Sequence, residues 1–379
     1  MKKTFSLVLA MWLILTTFTG CTQTSTPTET KTVKVGILAP LSGPAADYGE
    51  DAVNVYKLIV AKFNAANPSY QVQLVFEDDK CDGKDGSSAI QKLINVDQVQ
   101  VVVGSICSVA TIPAGKIAQE NKILMVSPTS SAPEVAQVGD YVYRFRNDAD
   151  VTKKLAEQLT KQGIKTVFAL VENTDYGVGY ANSLAKSFSG TVIQEKFQSD
   201  EKDFDILAKK IVNSTEPIDA ILFIGNSNGN IISMINALDK EGLLKKFAGN
   251  VFGTETSSTD VIKQAVGNLL EGVKIVQLAN LEDLDASAIK LSDEFASKFE
   301  IKSSPLFAVL EAESLDLVLD GIKANGYNAT KVKQYLDSFT ANNPRDGFFG
   351  KYYFSPERSA VGLNFLAYQI KNGKAVVEK

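Results

Sequence analysis

The strongest constraint in this sequence is an alternation that occurs twice: short β-branched runs trade places with longer stretches of helical period. The run 33–38 reads as a strand. Over 47–65, apolar residues at 52, 53, 56, 59, 60 and 63 have the spacing of a helix with one buried face. Asp47 and Glu50 stand where a capping residue and its third-position partner would start that helix. Strand 71–76, helix 86–95, strand 99–103, helix 108–120 and strands 123–126 and 141–145 follow. Near-continuous apolar strands such as 99–103 suit a parallel sheet covered on both faces. A second run opens at Lys165, with strands 166–171, 191–197, 218–224, 250–253 and 273–278 interleaved with helices 178–188, 203–213 and 229–240. Two doubly wound α/β units are the simplest reading. Helices near 287–299, 306–324 and 329–340 then precede strands near 351–354 and 362–370, so the chain is expected to cross between units more than once.

The amino terminus reads as an address. Lys2 and Lys3 precede an uncharged apolar run, 5–15, that is shorter than the roughly 20 residues needed to span a bilayer. It ends at Phe18-Thr19-Gly20-Cys21, which resembles the lipobox of bacterial lipoproteins. Residues 1–20 are therefore expected to be removed and Cys21 acylated; the plainer alternative is an ordinary signal peptide with an incidental cysteine. Residues 22–32 contain six threonines and no large apolar side chain, too little to offset ordering entropy, and read as a flexible tether. Its reach is only about 20 Å. The body is expected outside the cytoplasm, close to a membrane, in a periplasm or at a cell surface.

The remaining length suffices for two ordinary domains. The net charge of −5 is spread over interleaved lysines and acids with no basic block, which argues against nucleic acid. No later apolar segment approaches spanning length. With Cys21 used for the anchor, Cys81 and Cys107 remain as an even pair in an oxidising compartment. A bond between them would close a loop of about 27 residues and contribute about 3–4 kcal/mol; two unpaired buried thiols are the alternative. Gly225-Asn226-Ser227-Asn228-Gly229 fits the G-x-S-x-G nucleophile pattern between a strand and a helix. Yet the chain holds no histidine, so a Ser-His-Asp triad cannot be assembled and His-ligated zinc is excluded. There is no P-loop and no G-x-G-x-x-G. No enzyme activity, cofactor or metal is expected.

Ligands of open α/β sheets sit beyond the carboxyl ends of the strands, so polar residues there are the site candidates. After the first strand, Gly43-Pro44 marks a turn and Tyr48 falls in the first helical turn. After the third, Ser108 opens a helix, where it is expected to cap the helix and present hydroxyl and N–H groups to an anion. After the fourth, Ser131 to Glu134 has the form of a capping box, which leaves Thr129 and Ser130 to bind a carboxylate. In the second unit the candidates are Tyr176 and Glu255, the latter a natural partner for an ammonium group. Each of these also has a local reading, as a strand-end tyrosine, a helix cap or a solvated loop acid.

At these loops the chain resembles the leucine/isoleucine/valine-binding type of periplasmic binding proteins, the substrate-binding components of ABC importers, from Val33 to about Lys374. The likeness rests on Leu41-Ser42-Gly43-Pro44 with Tyr48-Gly49, Asp78-Asp79-Lys80-Cys81-Asp82, Cys107-Ser108, Ile123 to Pro128 with Ala132-Pro133-Glu134, and Asp175-Tyr176-Gly177. It implies a type I periplasmic binding protein fold: two Rossmann-like doubly wound lobes joined by a three-crossover hinge. Lobe 1 would comprise 33–146 plus 278–352, and lobe 2 147–277 plus 353–379. It also implies a Cys81–Cys107 disulfide, a ligand carboxylate on Ser108 and Ser131 with the Thr129 backbone, and an ammonium on Glu255 and Thr129 with Tyr176, while Tyr48 lines the side-chain pocket. Where branched-chain binders place a pocket tyrosine, this chain has Asn226 or Ser227, which suits a polar or longer side chain better than leucine.

The expected function is capture of an amino acid or similar zwitterion by hinge closure, with delivery to ABC permease subunits by a monomeric, membrane-anchored protein. Binding of urea, a short amide or an aromatic acid, or a ligand-sensing role, is the alternative.

Overall fold

The computed structural model describes residues 30–67, 69–279, 284 and 286–378. The expected signal peptide, Cys21 and most of the tether lie outside the described residues.

A five-stranded parallel sheet is built from β1 (Lys31–Ala39), β2 (Tyr70–Asp78), β3 (Val101–Gly104), β4 (Leu124–Ser127) and β5 (Val142–Arg144), in the order β2-β1-β3-β4-β5. The second sheet repeats that order with β6 (Thr166–Glu172), β7 (Thr191–Phe197), β8 (Ala220–Ile224), β9 (Val251–Gly253) and β10 (Lys274–Leu278), as β7-β6-β8-β9-β10. The period of two decides the layers. Val101 and Val103 turn towards helices Ala46–Ala66 and Pro305–Asn325, while Val102 between them turns towards helices Gly83–Asn95 and Ser108–Glu120. In the second sheet Val167, Ala169 and Val171 pack with helices Asp148–Lys161 and Asp175–Ser187. Phe168 and Leu170 pack with Asn228–Lys240 on the other face. This two-sided burial explains the unbroken apolar runs.

A small antiparallel sheet, β11 (Arg345–Gly347), β12 (Gly350–Phe354) and β13 (Ala360–Val361), belongs to the first core: the Phe354 ring meets Tyr143 edge-on at 5.0 Å, and Tyr352 meets Phe145 at 5.2 Å. Buried Arg345 fixes its start through Glu313, Asp316 and Asp320. The chain then adds β14 (Phe365–Lys371) and β15 (Lys374–Val377) antiparallel to the far edge of the second sheet. Three passages therefore join the bodies, after β5, after β10 and after β13.

Two local expectations are corrected. Helix Ala46–Ala66 begins at Ala45 without a side-chain cap: a backbone turn, with Ala46 N donating to Gly43 O and Tyr48 N to Ala45 O, satisfies its first groups. This leaves Asp47 free to accept from Asn228 Nδ2 of the other body at 3.0 Å. The capping box at Ser131 does not form either. Pro133–Gln137 is a single 3-10 turn led by Ala132 with no side-chain cap.

Candidate functional site

Both sheets reverse strand order beside their first strand, and that is where a doubly wound fold opens a crevice beyond its carboxyl edge. The two crevices share one cleft of about 500 Å³, open mouth included. It is lined from the first body by Tyr48, Ile106, Ser108, Thr129 and Arg146, from the second by Tyr176, Asn226, Glu255 and Thr256, and from helix Pro305–Asn325 by Phe307 and Glu311. Six of the nine candidates read from the sequence thus come together: Tyr48, Ser108, Thr129, Tyr176, Asn226 and Glu255.

The two tyrosines are placed by the same device in each body. Each precedes a glycine in the first turn of the helix that follows its body's first strand, and a Cβ at Gly49 would lie 1.9 Å from Pro40 O, one at Gly177 2.1 Å from Glu172 O. Only glycine lets the helix start sit so close to the strand end, which turns the preceding ring into the cleft. Thr174 caps the second helix, its Oγ1 accepting from Gly177 N. Tyr48 and Tyr176 are buried with hydroxyls that have no hydrogen-bond partner among the described residues, and burial, reinforced by the Glu255 carboxylate, pushes both phenols up.

Cys81 and Cys107 are bonded, with Cα atoms 5.4 Å apart, and pin the loop before helix Ser108–Glu120. Here the structure corrects the capping expectation: Cys107 occupies the cap position and Ser108 is the first helical residue. Ser108 Oγ instead accepts from Ser131 N and Ala132 N, at 3.1 and 3.2 Å. That leaves its O–H proton for an acceptor in the cleft, beside the positive end of the helix. Ser131 itself does not line the cleft; it serves through its backbone, and its hydroxyl lies beside Asp148. Ser130 is also behind the wall, bonded to Thr111 Oγ1 at 2.7 Å and donating to Ser105 O at 3.1 Å. Thr129 lines the cleft, but its hydroxyl donates to Ile106 O at 2.9 Å.

Glu255 is not a free acid. It opens a 3-10 turn after β9 and forms an ion pair with Arg146, both side chains about 95% buried. Arg146 follows β5 at the first passage between bodies and lies over the Phe307 ring, 5.8 Å from its centroid. Next to it Asp148, fully buried, has its carboxyl pushed up to about 7 by burial, against the pull of Arg146 and Arg144. On the facing wall Asn226 N donates to Glu172 Oε2 at 2.6 Å, tying the loop to the end of β6. Ser227 lies off the cleft and caps helix Asn228–Lys240, its Oγ accepting from Asn230 N.

Sequence reasoning missed Arg146, Phe307, Glu311 and Thr256. Arg146 carried a usable signal, since it stands two residues beyond the fifth strand's carboxyl end. Glu311 carried a subtler one, a carboxylate inside the otherwise apolar stretch Leu306 to Leu310 and Ala312 of a helix buried along most of its length.

The model of the periplasmic binding protein family matches residues 32–375. The Leu-, Ile-, Val-, Thr- and Ala-binding protein of Pseudomonas aeruginosa is 26% identical over 351 residues, 89% of this chain and 90% of that protein. The Leu/Ile/Val-binding protein of Escherichia coli is 27% identical over 268 residues, 67% and 70% of the two chains. Among solved structures, the LivJ substrate-binding protein of Streptococcus pneumoniae in complex with isoleucine superposes with a TM-score of 0.79 at 23% identity, covering 91% of this chain and 98% of that one. A solute-binding protein of Rhodopseudomonas palustris in complex with 3,4-dihydroxybenzoic acid gives 0.80 at 19% identity, covering 91% and 95%. With two 2-1-3-4-5 sheets, a shared crevice and a family match over nearly all the described chain, this protein belongs to the periplasmic binding protein family and has its type I fold.

Proposed function

We propose that this chain captures an amino acid or a similarly small zwitterion between its two bodies and delivers it to the membrane subunits of an ABC importer. The observation that carries this reading is the pairing of opposite chemistries in one cleft. Ser108, with its hydroxyl proton free at a helix start, provides for a carboxylate. Glu255 provides for an ammonium: a carboxylate offers about four lone-pair sites, so the ion pair with Arg146 leaves acceptor capacity over. Tyr48 and Tyr176 supply apolar walls with polar tips, one from each body.

The bodies act as lobes. Ligand docks on the first through Ser108 and Thr129, and the second swings in with Tyr176, Asn226 and Glu255 about the three passages. Closure is favoured only as far as the ligand binds the closed form more tightly than the open one. The Asn228–Asp47 hydrogen bond across the cleft rim is one contact that closure gains. The permease would read the closed outer surface of a monomer. Cys21 would hold the protein at the membrane; labelled palmitate should enter the wild type and be absent from Cys21→Ala.

The deciding experiment is a thermal-shift screen with the twenty amino acids, urea, short amides and hydroxybenzoates. A ligand at about 100 times its Kd adds about 2.7 kcal/mol of stability, which the midpoint reports directly. An α-amino acid should give the largest rise. Stabilisation by amides or aromatic acids alone would replace this reading with theirs.

A further inference from the structure

Glu311 differs from the other carboxylates around the cleft. It lies one turn after Phe307 on helix Pro305–Asn325, and both side chains line the cleft. Glu311 is 1% exposed, and its Oε2 has no hydrogen-bond partner among the described residues. Glu255 is held by Arg146, Glu172 by the Asn226 N–H, Asp51 by the Lys302 and Ser303 N–H groups, and Glu313 by Arg345 and the Tyr352 hydroxyl, while Asp148, whose oxygens lack hydrogen-bond partners among the described residues, lies off the cleft beside Arg146 and Arg144. The charge acting on Glu311 is Asp51, of the same sign, and together with burial it drives the Glu311 carboxyl well above the usual range.

Such a group is poor lining for a hydrocarbon tail. An aliphatic ligand that fills the cleft would leave the carboxyl desolvated and unpaired, the costliest state for a polar group. A ligand nitrogen that donates to it removes that cost. A ligand cation placed there would favour the ionised carboxylate that burial and Asp51 disfavour, and would gain a charge-assisted hydrogen bond from it. Asn226 supplies a further polar lining group from the second lobe.

We propose that Glu311 is the specificity-determining residue of this cleft and selects an amino acid whose side chain ends in a nitrogen donor, an amide or a cation, over one with a branched aliphatic side chain. This rests on the amino acid reading above and narrows it. Sites built to hydrogen-bond a ligand N–H discriminate strongly against the analogue that lacks it, and a preference of about 100-fold is expected.

The test is titration calorimetry of the wild type, Glu311→Gln and Glu311→Leu with glutamine, asparagine, lysine, arginine and ornithine against leucine, isoleucine and valine. In the wild type at least one nitrogen donor should bind far more tightly than leucine. Glu311→Leu should weaken that ligand by about 30-fold or more and strengthen leucine. Glu311→Gln, nearly the same shape, should weaken a cationic ligand at least tenfold but an amide much less, which separates the two nitrogen classes. Circular dichroism monitors folding, and if the leucine variant fails to fold, Glu311→Ala carries the test, with loss of the nitrogen preference expected for an amide and a cation alike. Tightest wild-type binding of a branched aliphatic amino acid, with the order unchanged in the variants, overturns the proposal and leaves the amino acid reading standing. Binding of no α-amino acid at all overturns both.

Discussion

Arg146 and Glu255 form a buried ion pair between the exit of the first sheet and the carboxyl end of β9 in the second, on the floor of the cleft. The pair does two jobs. It ties one lobe to the other, and each side chain compensates a charge that would otherwise be buried alone.

Removing one member leaves a buried charge uncompensated. Glu255→Gln should therefore destabilise the protein by about 3 kcal/mol or more in urea denaturation, and Arg146→Met/Glu255→Gln should recover much of it. Calorimetry on the same single variant should show ligand affinity down by about 30-fold or more. Affinity within threefold of the wild type would mean that Glu255 does not meet the ammonium.

Ser108→Ala withdraws the acceptor of two buried N–H groups, those of Ser131 and Ala132. Each unsatisfied donor costs about 1–3 kcal/mol, so a clear loss of stability should accompany at least a tenfold loss of affinity. Ser130→Ala is the control. Its hydroxyl bonds Thr111 and Ser105 behind the wall, so its affinity should stay within about threefold even where stability falls. Equal affinity losses in the two variants would contradict this placement.

The disulfide links the segment after β2 to the loop that carries Ser108, across a sequence separation of 26. Cys81→Ala/Cys107→Ala should lose about 3–4 kcal/mol of stability in the chain-entropy account. Affinity should fall as well, because the freed loop must be ordered again by the ligand. Unaltered affinity in a destabilised variant would show that the helix alone positions Ser108.

Burial holds the Asp79 and Asp316 carboxyls up at about 6 and Asp148 at about 7. Their unfolded counterparts titrate near 3.8, so between that value and 6–7 the folded state binds protons that the unfolded state has lost. Stability contributed by these groups is thus full below the unfolded value and declines as pH rises through the folded ones. Denaturation midpoints should rise as pH drops from about 7.5 to about 5, and Asp148→Asn should flatten that slope. A midpoint that falls steadily over the same interval would count against it.

The layered α/β architecture was legible because burial on both faces writes apolar runs that depend little on what lies beyond the neighbouring element. Helix Ser108–Glu120 and strand Thr191–Phe197 have the bounds that their period predicts. Caps were read less well. Asp47, Ser108 and Ser131 all have capping chemistry, but each spends a polar group on a segment distant in sequence, and no local pattern records that. Strand-end loops led to six of the lining residues. Arg146 escaped because the passage between lobes was not searched as a strand end, and Glu311 because it lies inside a helix and not at a strand end.

From its residues alone this chain determined two doubly wound units, a pair of cysteines fit to bond and the lack of any histidine chemistry, since composition and period act locally or not at all. The tertiary structure decided which hydroxyls face the cleft, that Glu255 is already paired with Arg146, and that Glu311 Oε2 has no partner among the described residues. Those are outcomes of which surfaces the three passages bring together, and electrostatic partnership in a buried space depends on distances that no one-dimensional spacing can hold.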